Sequence, residues 1–372
     1  MTYDLAVVGA GILGLAHALA AVRRGLKVVV LDRDRAAAGA SVRNFGLVVV
    51  SGQEPGEARR RAERSREVWL EVGAAAGIEV LQRGMLIVAQ RPEALGALER
   101  FNASPFGVEC SLLTTREACA RQPGLDMARI AGGLYSPHEI RVESRDAIPR
   151  LAAFLEDRHQ VAFRRGVSVH AVAPPRVETS CGEVNAKKVV VCPGDDLDTL
   201  YADPLAKAHV QRCKLQMLRL AEPGFRVASA LVSDLSLLRY GGFSNFPETV
   251  ALMERLRREH GDALKAGVHL IVVQSRDGSL VVGDSHDYSD APDPFASEAV
   301  DRLILDEFST LFGGAVPAVQ ARWIGTYASA SDRAVFQDAP EKEVRLVTVT
   351  SGTGASTAFA LGEETIADLF GS

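Results

Sequence analysis

Six residues near the N-terminus, Gly9-Ala10-Gly11-Ile12-Leu13-Gly14, constrain this chain more than any other stretch. They follow a short apolar run, Tyr3 to Gly9, that reads as a buried parallel strand. They open a helix-like stretch over 12–24, which Gly25 ends before a second strand, Lys27 to Leu31. An acid, Asp32, closes that strand about twenty residues beyond the glycines. Strand, glycine turn, helix, strand and acid make a βαβ unit in about thirty residues. The glycines then have separate tasks: Gly9 permits the tight turn, Gly11 lets a pyrophosphate approach the backbone, and Gly14 lets helix and strand pack closely. Gly9, Gly11, Ile12, Leu13, Gly14, Asp32 and Arg33 are the expected contacts of this unit with a dinucleotide, with Asp32 accepting from ribose hydroxyls.

With 372 residues the chain suits two domains, or one large domain carrying an inserted second one. A formal charge of −5 offers no basic face for nucleic acid, so no nucleic-acid partner is expected. The one dense basic stretch, Arg59 to Arg66, is interleaved with Glu57, Glu63 and Glu67 and reads as the solvated face of a helix. Leu5 to Val22 carries no charged side chain over about the length of a bilayer span. It contains three glycines and His17 and lacks a signal-peptide n-region and cleavage site, so it reads as buried strand and helix, with no membrane partner. Five scattered cysteines with no CxxC pair read as reduced, mostly buried thiols of a cytosolic protein.

Farther along, 57–77 is helical with Trp69 and Leu70, and Gln82 to Ala89 is a strand. Arg91 to about Met127 is mixed and polar, as suits an insertion with its own small helices. Ser144 to Asp157 reads as an amphipathic helix with Pro149 in its first turn. Strand-like pieces follow at Val167–Val172 and Arg176–Thr179, then a turn at Cys181-Gly182, then Lys188 to Cys192 closing on Pro193-Gly194. Strands at 212–220, 267–274 and 279–283 make the middle antiparallel, the last two joined as a hairpin around Arg276-Asp277-Gly278. At the end, strand Val344–Val349, turn Ser351-Gly352-Thr353-Gly354 and helix Ser356–Leu369 place backbone N–H groups at a second helix N-terminus, suited to an electron-rich group.

NAD and FAD share the first fingerprint. After the second strand, however, Gly39-Ala40-Ser41-Val42-Arg43-Asn44-Phe45-Gly46-Leu47 is small and polar where a nicotinamide enzyme would continue with another βα unit. With Val191-Cys192-Pro193-Gly194 and the terminal glycine turn, this pattern resembles the D-amino-acid-oxidase-like flavoprotein family, which includes glycine oxidase and monomeric sarcosine oxidase. The resemblance covers nearly the whole chain. It implies an α/β fold with a Rossmann-like FAD-binding domain of the glutathione-reductase type and a mixed-sheet substrate-binding domain. The first takes 1–85, 140–210 and 320–372, and the second takes 86–139 and 211–319. It implies cofactor contacts from Ser41, Arg43, Asn44, Phe45, Gly46 and Leu47; from Val169 near adenine; from Cys192, Pro193 and Gly194; from Gly325; and from Gly352, Thr353, Gly354, Ala355, Ser356 and Thr357. Some relatives tether flavin through a cysteine that matches Gly325, or through a histidine, and no His lies in 39–47. Noncovalent FAD is therefore expected. The lysine that sarcosine oxidases carry in the terminal turn matches Ser356, so any grip on a substrate anion has moved.

The stretches RNFGLV (43–48), GGLYSPHEIRVESRDAI (132–148) and RWIGTYASASDR (322–333) most resemble a subgroup associated with aminophosphonate breakdown. A phosphonate dianion calls for arginine forks. Arg43, Arg239, Arg276, Arg322 and Arg333 are candidates, with Arg43 and Arg322 favoured beside the flavin ring and Arg276 at a hairpin tip. His269 and His286 fall on expected roof strands, and by resemblance His286 and Tyr327 match pocket residues of sarcosine oxidases. Tyr240, beside Gly241-Gly242, lies over the site or is packed. The plainer alternatives are hydrogen-bonded core histidines, packed tyrosines and surface arginines. No metal cluster, Ser-His-Asp set or P-loop is legible. The resemblance implies oxidation of a small primary or secondary amine to an imine that hydrolyses to a carbonyl, with oxygen or another electron acceptor. The alternatives are a glycine, sarcosine or D-amino-acid oxidase, a flavoenzyme modifying methylaminomethyl uridine in RNA, an NAD-dependent dehydrogenase, and a flavin-binding sensor without turnover.

Overall fold

The computed structural model describes residues 2–371. Strand Thr2–Val8 lies between Val28–Asp32 and Gly182–Val191, parallel to both. Ala162–Arg165 and Val344–Val349 extend the parallel ladder on its two sides. Val335–Asp338 and the hairpin of Val169–Ala173 with Arg176–Thr179 add the antiparallel pieces. Leu5, Ala6 and Val7 are fully buried, as a central parallel strand covered on both faces requires.

Helices Ile12–Arg23, Glu57–Ala76, Ser144–His159 and Gly354–Phe370 cover one face of this sheet, where Leu5, Val7, Val28 and Val30 pack with Leu15, Trp69, Leu151 and Phe359. Ala6, Val29 and Leu31 face the other way, onto Val169 and Val177. Trp69 pins the arrangement: its indole N–H donates to Ala355 O at 2.8 Å, and its ring meets Phe359 edge-on at 5.0 Å between centroids.

Several sequence expectations change. The basic stretch of helix Glu57–Ala76 is not simply solvated, because Arg61 and Arg64 pair with Glu364 and Glu363 of the last helix. Pro149 sits inside helix Ser144–His159 rather than in its first turn, on the exposed side where water can satisfy the carbonyl it leaves free. Of the cysteines only Cys192 and Cys213 are buried; Cys110 and Cys119 are intermediate, and Cys181, at the turn before Gly182, is exposed. Among the described residues no helix is long and apolar enough to cross a membrane.

The second sheet has ten strands and is mostly antiparallel. Gln211–Leu220 runs against Leu280–Gly283, Asp287–Ser289 and Val319–Ser329. Ile271–Gln274 and Ala230–Ser233 lead on to Val80–Ala89, Gly132–Val142 and Leu47–Val48. The hairpin expected at 276–278 is present, with Gly278 in the left-handed region at φ 82° and Ser275 N–H donating to Ser279 O. Its first strand starts only at Ile271, because His269 N–H bonds to Asp284 O outside the ladder. The divisions expected at 85, 140 and 320 do not follow the sheets: Val80–Ala89, all of Gly132–Val142 and Val319–Ser329 pair into the second one. Trp69→Ala is expected to lower unfolding stability by about 3–5 kcal/mol, measured by urea denaturation, because it empties the junction of two helices and strips the Ala355 carbonyl of its donor.

Candidate functional site

Two helix N-termini open on one cavity of about 390 Å³ that also reaches the second sheet. Gly11, Ile12, Leu13 and Gly14 line it from the first helix, and Gly352, Thr353, Gly354, Ala355 and Ser356 line it from the last. Neither N-cap residue, Gly11 or Thr353, caps its helix with its own side chain. Each helix therefore turns backbone donors and the positive end of its dipole toward the cavity.

The glycine turn is dictated by backbone crowding. Gly9 has φ 101°, and a Cβ on it would lie 2.4 Å from Cys192 O. A Cβ on Gly14 would lie 1.8 Å from Gly9 O. Gly11 differs: it lines the cavity, and its Cβ would meet the Ser41 side chain, with Oγ at 3.0 Å, rather than main-chain atoms. Ser41 Oγ accepts the Ile12 N–H at 2.9 Å and ties the 3-10 turn Ala40–Val42 to this helix.

The next segment folds back on itself. Asn44 donates to Ala40 O and accepts from the Gly46 N–H and the Ser144 hydroxyl, each at 2.7 Å, so its amide shapes the turn. Arg43 lines the cavity and reaches Ile324 O at 3.2 Å. Phe45, Leu47, Cys192, Gly194 and Gly325 also line it. Gly9, Asp32, Arg33, Gly46, Val169, Pro193 and Thr357 do not. Asp32 borders a second hollow of about 250 Å³ and accepts from the Ala10 and Asp34 N–H groups at 2.5 and 2.7 Å. Arg33 pairs with Asp196, and Val169 is buried in the sheet core. Ser356, at the matched lysine position, is a structural tie: its Oγ accepts the Val49 N–H at 2.9 Å.

At the roof end the cavity is lined by Arg239, Tyr240, His269, Asp284, His286 and Tyr327. The two histidines lie just outside strands rather than on them, His269 before Ile271–Gln274 and His286 before Asp287–Ser289. Their rings are 5.1 Å apart. Burial drives the His286 imidazole down to about 3, partly opposed by Asp284. Burial also raises the phenols of Tyr240 and Tyr327, which stay protonated. The Tyr240 ring packs on His269 and closes over Gly52, so it is part of the wall.

The arginines separate clearly. Arg322 Nε is bound to Asp301 of helix Glu298–Phe312 at 2.8 Å and does not line the cavity. Arg322 and Tyr327 are five positions apart on one strand, so they face opposite sides. Arg276 pairs with Glu79 and Arg333 with Asp332. Arg239 joins Arg43 on the cavity wall, its Nη2 donating to Tyr288 Oη at 2.7 Å. Asp284 carries no sequence signal, and the grouping of His269, Asp284 and His286 within 4.8 Å is made by the fold alone.

A family model described as FAD dependent oxidoreductase (DAO) matches residues 4–369. No curated protein matches the sequence closely enough to count as a relative. Among solved structures, glycine oxidase from Bacillus cereus superposes with a TM-score of 0.79 at 17% identity, covering 99% of this chain and 95% of that one. L-proline dehydrogenase from P. horikoshii gives 0.80 at 19% identity, covering 99% and 93%. L-alpha-glycerophosphate oxidase from Mycoplasma pneumoniae, with FAD bound, gives 0.75 at 16% identity, covering 99% and 95%. The uncapped helix ends and the side-chain-free surface at Gly11 fit a cofactor with a pyrophosphate. Gly11→Val is expected to purify folded but without stoichiometric flavin, read as visible absorbance per protein, since its side chain would enter the space on the cavity side.

Proposed function

This chain belongs to the family of FAD dependent oxidoreductases, and from that premise we propose that it oxidises a small primary or secondary amine bearing an anionic group. The observation that carries this is the placing of Arg239 and Arg43 on the wall of the cavity into which both helix N-termini open. FAD, when bound, supplies the hydride acceptor and passes electrons on to oxygen or another acceptor.

The chain's own residues do the rest. The N–H groups of Gly11, Leu13 and Gly14 would hold the pyrophosphate, that of Ile12 being taken by Ser41, and Asp32, each of whose oxygens accepts one backbone N–H, keeps lone pairs for ribose hydroxyls. The Ser351–Ala355 turn would meet the ring system, with the first sheet and its helices as the FAD-binding part and the second sheet as the roof over the substrate. Gly325 and the histidine-free segment 39–47 support a cofactor held without a covalent bond. Leu215, Met217 and Ile271 give the cavity apolar wall, which excludes water from the reacting carbon. Five free cysteines support a cytoplasmic setting.

For the substrate class we favour an aminophosphonate related to 2-aminoethylphosphonate, on the three sequence stretches quoted above. Two cavity arginines suit a dianion, with Arg239 taking the place first given to Arg322. Glycine, sarcosine or a D-amino acid would present a single negative charge to the same arginines. A charge of −5 disfavours an RNA substrate. The test is anaerobic flavin reduction by 2-aminoethylphosphonate, its N-methyl and 1-hydroxy derivatives, glycine, sarcosine and D-alanine. Fastest reduction by a phosphonate is expected, and preference for a carboxylate would remove the aminophosphonate assignment.

Arg239→Ala is expected to lower kcat/KM on the anionic amine by about 1.5–3 kcal/mol, roughly 10- to 150-fold, with FAD content unchanged. Arg322→Ala should cost stability through Asp301 and leave kcat/KM near the wild-type value. Acid precipitation should release all the flavin into the supernatant as intact FAD; colour left in the pellet would reveal a covalent bond.

A further inference from the structure

Asp284 is a carboxylate only 5% exposed, placed immediately after strand Leu280–Gly283 and facing the cavity. Its Oδ1 lies 2.9 Å from His269 Nε2 and has no other partner among the described residues. Its Oδ2 lies 3.9 Å from His286 Nε2. His286 Nδ1 is 3.0 Å from Gly267 O, and a carbonyl can only accept, so Nδ1 carries the proton. With the ring neutral, Nε2 presents a lone pair. Burial opposes ionisation of Asp284, yet His269 and the Arg239 guanidinium hold its carboxyl below the usual range. Two acceptors therefore face each other across 3.9 Å at the cavity wall.

Buried acceptors without a donor are costly, and a buried charge without a counter-charge more so. A group centred about 2.8 Å from both atoms fills the gap at normal charge-assisted distances. Water would supply two O–H donors but no charge. A primary or secondary ammonium supplies both. A divalent metal could use the same atoms, but it would sit near the Arg239 guanidinium, whereas a substrate carrying one cation and one anion complements Asp284 and Arg239 together.

We propose that the gap between Asp284 Oδ2 and His286 Nε2 receives the substrate's ammonium group, with Asp284 as its counter-charge and His286 Nε2 as a neutral hydrogen-bond acceptor. This rests on the amine-oxidising reading above. One N–H of the ammonium points to Asp284 and one to His286. Gly267 O accepts from Nδ1 and so keeps the Nε2 lone pair turned to the gap. His269, Arg239, Tyr288 and Tyr327 are the other polar groups packed around this ring. The site needs two N–H donors, so primary and N-methyl amines fit and N,N,N-trimethyl amines do not.

The experiment uses FAD-loaded wild type, Asp284→Asn and His286→Gln with two probe pairs, 2-aminoethylphosphonate against ethylphosphonate and sarcosine against acetate. Binding is read from perturbation of the visible flavin spectrum and reaction from anaerobic flavin reduction. Asp284→Asn is expected to weaken the ammonium-bearing probe about 10- to 150-fold and to leave its amine-free partner nearly unchanged. His286→Gln keeps an acceptor in the gap, so binding of the ammonium-bearing probe should stay near wild type. Equal weakening of both members of a pair, no change in either, or no ammonium probe bound by wild type would overturn the proposal. So would one equivalent of divalent metal in wild type that Asp284→Asn lacks. Ammonium-selective binding lost in Asp284→Asn without any flavin reduction in wild type would support the docking site and place the failure in the amine-oxidising reading.

Discussion

The crossing of three backbone segments at Gly9 governs the rest of this structure. Cys192 O and the first turn of the first helix approach so closely that side chains at Gly9 and Gly14 would strike main-chain atoms. That contact fixes how the helix leaves the central strand and brings the end of strand Gly182–Val191 beside it. Because strands Thr2–Val8, Gly182–Val191 and Val344–Val349 are parallel, their C-terminal ends lie on one side, and both flanking helices begin there. Donors from two helix ends thus converge on one cavity.

The second sheet solves a different problem. It brings an apolar wall and, at strand ends rather than within strands, a small set of charged and polar groups. Strand interiors spend their backbone groups on the ladder and alternate their side chains, whereas residues leaving the ladder can turn several side chains to one point. His269, Asp284 and His286 all occupy such positions, and Arg239 follows the 3-10 turn Asp234–Leu238. Opposite charges at Asp284 and Arg239 sit in a space that cofactor and substrate would close to water, which strengthens their pull on a ligand carrying both signs.

The cost of this arrangement is met by the surrounding packing. Trp69, Phe359 and the ion pairs of Arg61 and Arg64 lock the last helix onto Glu57–Ala76, so its N-terminus is held by a rigid element. Ser356 ties the same helix to the start of the segment after Leu47. A lysine at this position would forfeit that tie.

The βαβ unit, the glycine turn near the C-terminus, the helix–strand alternation and the hairpin at Gly278 were determined by local sequence, because each depends on neighbours within a few residues or on glycine's freedom at positive φ. The flavin-binding character was legible only through a resemblance spread over the whole chain, because NAD and FAD share the local fingerprint. What only the tertiary structure decided was the roof of the site: that Arg322 turns to Asp301 while Arg239 faces inward, that Val169 is core, and that Asp284 meets two histidines. Strand parity, a ladder ending at Ile271, and the pairing of segments more than a hundred residues apart set those positions. No local pattern encodes them, since a side chain's direction across a sheet depends on register, and register is chosen by the whole packed core.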